Sequence, residues 1–152
     1  MKKLFLCLFG LFLIVSCSDD STSAINLKEG EIFLASNANQ DGINLIEEGL
    51  QYSIIETGNE GAKPSLDNTI TAHFHGTLTD GKVFWSSVET GEPLTIQLSQ
   101  LIKGCQKVIS LMQVGDKWRV YIHPDLAYGE EGRPSIPSNS VLIFDIELLE
   151  II

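Results

Sequence analysis

The sequence predicts an α+β domain in which an antiparallel β-sheet has one face covered by a single helix. Apolar residues alternate with polar ones in four separate segments, as expected of strands with one buried face. Turn-forming residues such as Asp80-Gly81 separate these segments. The segment from Leu101 to Met112 instead has the spacing of an amphipathic helix. Several strands with one packed helix form an α+β domain.

The first sixteen residues have the form of a secretory signal. Lys2 and Lys3 precede the apolar run Leu4 to Val15, which is shorter than the about 20 residues of a membrane-spanning helix. Ile14-Val15-Ser16-Cys17 resembles a bacterial lipobox, so we predict cleavage before Cys17 and acylation of Cys17. Two or more acyl chains anchor a protein stably to a membrane. Ser18, directly after the cysteine, is typical of sorting to the outer membrane. The alternatives to cleavage and acylation are an uncleaved membrane anchor, or secretion with a free thiol at Cys17.

Residues 17–27 are predicted to be a lipidated tether, and residues 28–49 a short helical lead-in. Ser18 to Ser23 contains no apolar residue, which favours a solvated chain. Between Lys28 and Asn39 the apolar residues have helical spacing, and Gly42 ends the pattern. Residues 50–152 then form the predicted folded domain.

The predicted strands follow in order along this domain. Their segments are Leu50–Ile54, Ile70–Leu78, Trp118–Ile122 and Leu142–Leu148. Thr79-Asp80-Gly81-Lys82 is a turn signal after the second strand. His73 and His75 share the face of that strand opposite Phe74, so we expect them on the exposed face and predict no metal site.

Composition excludes several classes of function. Ten Lys and Arg stand against twenty Asp and Glu, and this net charge of −10 argues against nucleic acid as a partner. Cys7 and Cys17 do not belong to the predicted domain, which leaves Cys105 without a disulfide partner or a cysteine zinc motif. No glycine-rich phosphate loop occurs, and no cofactor is predicted.

Five blocks of sequence occur in an order that is typical of one known family. They are Phe74-His75-Gly76-Thr77-Leu78, Asp80-Gly81-Lys82-Val83-Phe84, Leu101-Ile102-Lys103-Gly104, Pro124-Asp125-Leu126-Ala127-Tyr128-Gly129 and Leu142–Leu149. Together they resemble the FKBP-type peptidyl-prolyl isomerases over Leu50 to Ile152, and Gly49-Leu50-Gln51-Tyr52 resembles the lead-in of the exported Mip branch. The resemblance implies a half-barrel sheet around one short helix, with an apolar pocket between them.

The resemblance also implies the residues of the site. Tyr128, Phe84, Ile102 and Phe144 match positions used in catalysis, where the Tyr128 hydroxyl and the Ile102 N–H would bind substrate carbonyls. Other positions match the substrate-binding walls and floor: Phe74, Trp85, Leu94, Leu101, Cys105 and Ile136. The implied substrates are Xaa-Pro segments of exported or unfolded proteins, and macrolides are implied ligands.

Three positions depart from the family pattern. Phe74 replaces a tyrosine, Trp85 an aspartate, and Cys105 the tryptophan that usually forms the pocket floor. We therefore expect a reshaped pocket with weakened or altered isomerase activity. The alternative is a non-catalytic peptide-binding chaperone or adaptor on the same fold. Because Lys28 to Asn39 is shorter than the helices on which Mip-type dimers are built, we expect a monomer.

Overall fold

The computed structural model describes residues 19–59 and 61–152, so the predicted signal and Cys17 lie outside the described residues. The helices are α1 (Asp19–Asn37), α2 (Ser87–Thr90) and α3 (Lys103–Ile109). The strands are β1 (Asn44–Glu47), β2 (Leu50–Glu56), β3 (Thr69–Leu78), β4 (Val83–Ser86), β5 (Leu94–Gln97), β6 (Lys117–Ile122) and β7 (Leu142–Ile151). Short 3-10 turns occur at Leu98–Gln100 and Pro124–Leu126.

The strands form one antiparallel sheet, as predicted. Its order is β1-β2-β6-β7-β3-β4, and β5 also pairs with β3. The long central strands β3 and β7 bury alternate residues, with Phe74 opposite Ile146 in the register. The predicted turn after β3 is confirmed, since Leu78 N–H donates to Lys82 O at 2.9 Å and Gly81 has a positive φ of 86°.

The buried face of the sheet packs on α3, whose residues Cys105, Val108 and Ile109 belong to the same apolar core. Close packing of α3 on β6 requires a glycine, because a Cβ on Gly104 would lie 2.5 Å from Ile122 Cγ2. This single covered face is the arrangement that the alternating pattern predicts. On the outer face, His73 and His75 each place Nδ1 within hydrogen-bond distance of a serine hydroxyl, at 3.0 and 2.9 Å.

The helix α3 is shorter than the predicted Leu101 to Met112. At its start, the N-cap Ile102 has extended backbone with ψ 152°, so Leu101 and Ile102 lie outside the helix. At its end, Leu111 N–H and Met112 N–H bond the carbonyls three residues earlier, at 2.9 and 3.0 Å. Such tight turns close a helix. Because Met112 is buried, the apolar spacing continues past the true helix end.

The prediction of a solvated tether over residues 17–27 is wrong from Asp19 onward, because α1 begins there and has 19 residues. The polar residues of this segment find partners in the body of the domain. Ser23 is buried and lies 2.8 Å from the Ser138 hydroxyl, and Asn26 Nδ2 donates to Ser138 O at 2.9 Å. Tertiary hydrogen bonds therefore hold a segment that composition alone assigns to solvent.

The second half of α1 is also docked. A Cβ on Gly30 would lie 2.8 Å from Val141 Cγ2, so the helix closely approaches the residue that precedes β7. Leu34 is buried, and its carbonyl accepts from Gln51 Nε2 at 2.8 Å. The length of α1 removes the argument for a monomer from a short helix, and the oligomeric state stays a prediction. Among the described helices, none combines the length and apolar character needed to cross a membrane.

Candidate active site

A cleft of about 600 Å³ opens between the sheet, the start of α3 and the loop after Pro124. The structure brings all ten residues implied by the resemblance into its lining: Phe74, Phe84, Trp85, Leu94, Leu101, Ile102, Cys105, Tyr128, Ile136 and Phe144. The lining also contains four residues that the sequence analysis missed: Ile96, Gln100, Arg133 and Ser135. Of these, Ile96 could have been found from the sequence, because it lies two residues after Leu94 and so on the same face of a strand.

Four aromatic rings form one wall and part of the floor. Phe84 meets Phe144 edge to face, with centroids 5.3 Å apart at 90°. Phe74 meets Phe144 at 6.2 Å and 81°, and Trp85 meets Phe74 at 5.8 Å. Edge-to-face pairs are favourable because the positive ring edge faces the negative ring face. The rings therefore hold one another in place and give the cleft a fixed apolar surface.

The ring wall depends on Gly76 of β3, which lies behind two of the rings. A Cβ at this position would lie 2.5 Å from Phe84 Cζ and 2.9 Å from Phe144 Cε1. Real Cβ atoms do not approach other atoms so closely, and because both contacts are with atoms of rigid rings, a whole ring would have to move. The absence of a side chain at Gly76 thus lets the Phe84 ring lie close to the strand.

The Tyr128 ring is positioned by the loop after β6. Pro124 O accepts from the N–H of Ala127 and of Gly129, both at 2.9 Å, and Gly129 takes a positive φ of 55°. These bonds fold the chain back directly around Tyr128. The Arg133 guanidinium lies 4.6 Å from the centre of the tyrosine ring and contacts its face.

The two hydrogen-bond donors that the resemblance implies for substrate binding have no partner within residues 19–59 and 61–152. They are the hydroxyl of Tyr128 and the backbone N–H of Ile102, the residue that caps α3. Both residues line the cleft, so both donors are available to a bound carbonyl. A hydrogen bond from a buried or half-buried donor to an acceptor of the ligand stabilises the complex.

Cys105 and Trp85 lie at different depths of the cleft. Cys105 is 2% exposed, and burial raises the pKa of its thiol to about 12. It therefore remains a neutral thiol at physiological pH and is not an activated nucleophile. Trp85 is 42% exposed, which places its indole at the rim rather than in the floor beside Cys105.

A second groove, of about 680 Å³, lies between α1 and the start of the sheet. Its lining includes Leu34, Leu45, Gln51, His123 and Leu126, together with three carboxylates. Among the residues that the structure describes, no phenylalanine, tyrosine or tryptophan lines it. We call it the lead-in groove. The aromatic wall and the two unpartnered donors make the other cleft the candidate active site.

An antiparallel sheet that wraps one short helix, with an aromatic cleft between them, defines the FKBP-like class of domain. Comparison with known proteins agrees. Residues 60–149 match the family model of the FKBP-type peptidyl-prolyl cis-trans isomerase, and residues 17–54 match that of the domain amino terminal to it. The chain belongs to the FKBP-type peptidyl-prolyl cis-trans isomerase family, which confirms the resemblance.

Individual relatives cover most of this chain. The isomerase FkpA of Aeromonas hydrophila is 47% identical over 132 residues, which are 87% of this chain and 49% of that protein. The outer membrane protein MIP of Legionella longbeachae is 43% identical over 83% of this chain and 54% of its own length. The chain spans about half the length of these curated relatives.

Solved structures share the fold. The crystal structure of FkpA from Escherichia coli has a TM-score of 0.82 and 36% identity, over 87% of this chain and 62% of that chain. A peptidyl-prolyl cis-trans isomerase from Pseudomonas syringae has a TM-score of 0.78 and 30% identity, over 85% of this chain and 95% of that chain. These similarities confirm the predicted FKBP-like fold.

Proposed function

We propose that this chain is a peptidyl-prolyl cis-trans isomerase that acts on exported or unfolded proteins. The observation that carries the proposal is the apolar aromatic cleft in which the Tyr128 hydroxyl and the Ile102 N–H have no partner among the described residues. Macrolides are proposed ligands of the same cleft. Membership of the isomerase family supports this assignment.

The proposed mechanism needs no nucleophile. Rotation about a peptide bond has a barrier of about 18–20 kcal/mol, because the planar amide loses its resonance as it twists. A proline ring seated against Phe84 and Phe144 would leave the twisted, less polar C–N unit in a dry apolar setting, which favours the transition state. Donors from Ile102 and Tyr128 would hold the flanking carbonyls. A thousandfold acceleration requires about 4 kcal/mol of such differential stabilisation.

Tyr128→Phe, with Tyr52→Phe as a matched control, tests this proposal. Tyr52 stacks on Trp118 with centroids 4.4 Å apart and does not line the cleft. In a protease-coupled Xaa-Pro assay we expect acceleration by the wild type and by Tyr52→Phe, and a several-fold lower kcat/KM for Tyr128→Phe, since one hydrogen bond is worth about 0.5–1.5 kcal/mol. No acceleration by the wild type, together with suppression of aggregation, would instead identify a non-catalytic peptide binder.

We further propose that the cleft is altered and its activity reduced relative to the family pattern. Cys105 leaves the floor without the usual indole, and Trp85 adds an indole at the rim. If the vacant floor weakens proline binding, Cys105→Trp raises kcat/KM and tightens macrolide binding. If the Trp85 indole turns in from the rim and fills that space, the same change overpacks the cleft and costs about 1–3 kcal/mol of stability.

The double variant Cys105→Trp with Trp85→Asp separates these two cases. Non-additive effects on isomerase rate and on Tm are expected if the indole turns into the floor, because residues that share one volume couple. Additive effects on both quantities would show that Trp85 and Cys105 act independently. In that case the proposal of one jointly reshaped site is wrong.

We also propose that the protein is exported and held at a membrane, in the outer-membrane sorting class, by acyl chains on Cys17. Residues 1–16 would be removed, α1 would then begin two residues after the lipidated cysteine, and residues 50–152 would form the isomerase domain. A relative named outer membrane protein MIP supports the location. Cys17→Ala is expected to lose acylation and leave the membrane fraction, with Cys105→Ala as the control that stays there. A wild-type protein without acylation at Cys17 would refute the anchor.

A further inference from the structure

Arg133 is the one residue with a formal charge among those that line the candidate active-site cleft. The family pattern that the sequence resembles has an aspartate at position 85, but in this chain Trp85 stands there. Among the described residues, no carboxylate therefore lines the cleft to neutralise the guanidinium. The electrostatic character of the opening is set by a single cation on an otherwise apolar or neutral lining.

The loop holds Arg133 in a defined place. Its backbone N–H donates to Ile136 O at 2.8 Å, and Ile136 N–H donates back to Arg133 O at 2.9 Å. The side chain contacts the Tyr128 ring at 4.6 Å and donates one Nη1 hydrogen bond to Gly132 O at 2.9 Å. These contacts direct the guanidinium to the same side of the cleft as the tyrosine ring.

The Arg133 guanidinium forms no salt bridge with an acidic side chain of the described residues. Within the described residues every salt bridge involves another cation, and Arg133 takes part in none. A guanidinium has five N–H donors, of which the bond to Gly132 uses one. The remaining donors are available to a bound carboxylate, and Arg can hold a carboxylate with two parallel hydrogen bonds.

We propose that Arg133 forms a subsite for a carboxylate side chain next to the substrate proline, so that the enzyme prefers Xaa-Pro segments with a glutamate or aspartate directly before or after the proline. This inference rests on the proposed isomerase function. The apolar cleft receives the proline ring, and the guanidinium beside Tyr128 then lies within reach of a neighbouring side chain. Ser135, which also lines the cleft, adds a hydroxyl that can donate to the same carboxylate.

The net charge of the chain works against this preference at long range. At −10, the protein repels acidic peptides, so a preference for them must come from close contact with Arg133. Because Arg133 is exposed, the contact has the modest strength of a solvent-accessible ion pair. We expect a preference of glutamate over glutamine of about threefold, and of glutamate over lysine of up to about tenfold.

The test uses six peptides, with Glu, Gln or Lys directly before or directly after one proline. Cis-trans exchange rates and Kd values are measured by NMR for the wild type, Arg133→Gln, Arg133→Lys and the control Arg119→Gln. Arg119 lies on the outer face of the sheet, where Nε contacts Asp145 Oδ1 at 2.7 Å, so its variant removes the same charge away from the cleft. All full-length proteins are compared in low salt and in high salt, where surface pairs are screened.

We expect the wild type and Arg119→Gln to favour the glutamate peptides. Arg133→Gln should treat the glutamate and lysine peptides alike, whereas Arg133→Lys should still favour glutamate over lysine. High salt should reduce the wild-type preference. Equal treatment of glutamate and lysine by the wild type, or an unchanged preference in Arg133→Gln, would overturn the subsite. Absence of catalysed exchange with the glutamine peptides would contradict the isomerase proposal instead, and the Kd ratios would still decide on the subsite.

Discussion

Replacing Gly76 with alanine is expected to damage the candidate active site more than the rest of the fold. The new Cβ would lie 2.5 Å from Phe84 Cζ and 2.9 Å from Phe144 Cε1, so at least one ring must move. In a strand, alanine is intrinsically better than glycine by about 0.5–1 kcal/mol. Overpacking a well-packed region costs about 1–3 kcal/mol, so the clash outweighs the gain.

The expected loss of stability appears as a lower Tm. For a chain of 152 residues, each 1 kcal/mol corresponds to about 2–4 °C, so a net loss of up to about 2.5 kcal/mol lowers Tm by up to about 10 °C. The cleft loses more, because Phe84 is half-buried and lines the cleft, so a shift of its ring changes the surface that receives the proline. If about 1.4 kcal/mol of transition-state stabilisation is lost in this way, kcat/KM falls about tenfold.

Gly61→Ala is the matched control for this prediction. Within the described part of the chain, the one atom within 4 Å of its added Cβ would be Asn59 O at 3.9 Å, which is an ordinary contact. We expect its Tm and its isomerase rate to equal those of the wild type. Differential scanning calorimetry and a protease-coupled Xaa-Pro assay measure both quantities. Wild-type activity in Gly76→Ala would refute the view that the Phe84–Phe144 edge contact shapes the proline site.

Two further predictions concern buried polar groups. Burial raises the pKa of the Cys105 thiol from 9.0 to about 12, so the thiol should resist alkylation at pH 8 in the native protein and react on unfolding. Because the unfolded thiol ionises at lower pH than the buried one, the contribution of Cys105 to stability is lost as pH rises from 9 to about 12. Denaturation measured over this pH range should not show that loss in Cys105→Ala. Buried Asp116 accepts from Gly58 N–H at 2.7 Å and from Gln113 N–H at 2.8 Å. Asp116→Ala leaves both N–H donors without an acceptor and should lower the free energy of unfolding, measured by urea titration, by about 1–3 kcal/mol. The control Asp80→Ala, at an exposed position, should lower it much less.

The four longest strands could be predicted from local alternation, and the membership of the cleft could be predicted through the family resemblance. Period-two alternation by itself places Phe74 and Phe144 on the covered face of the sheet. The short blocks around Tyr128 and Ile102 carry the family's spacing, and the fold brings those blocks to one cleft. Their roles in substrate binding stay a prediction until variants are measured.

The start of α1 and the position of Arg133 in the cleft could not be predicted in this way. Ser23 and Asn26 have low helix preference, and what stabilises them is a set of hydrogen bonds to Ser138, which is far away in sequence. Arg133 lies in a loop without periodicity, and only the folded loop brings it to the Tyr128 ring. Long-range partners of polar residues leave no local pattern in a sequence.

The loop that carries Tyr128 is held from two sides, which links the lead-in to the candidate active site. On one side, Tyr128 contacts Arg133 in the cleft. On the other side, His123 N–H donates to Gly49 O at 2.8 Å, and Leu126, two residues before Tyr128, lines the lead-in groove against α1. Since Gln51 Nε2 donates to Leu34 O, the segment around the start of β2 that supports this loop also fixes α1. The lead-in therefore belongs to the structure that positions the tyrosine, although no residue of α1 lines the cleft.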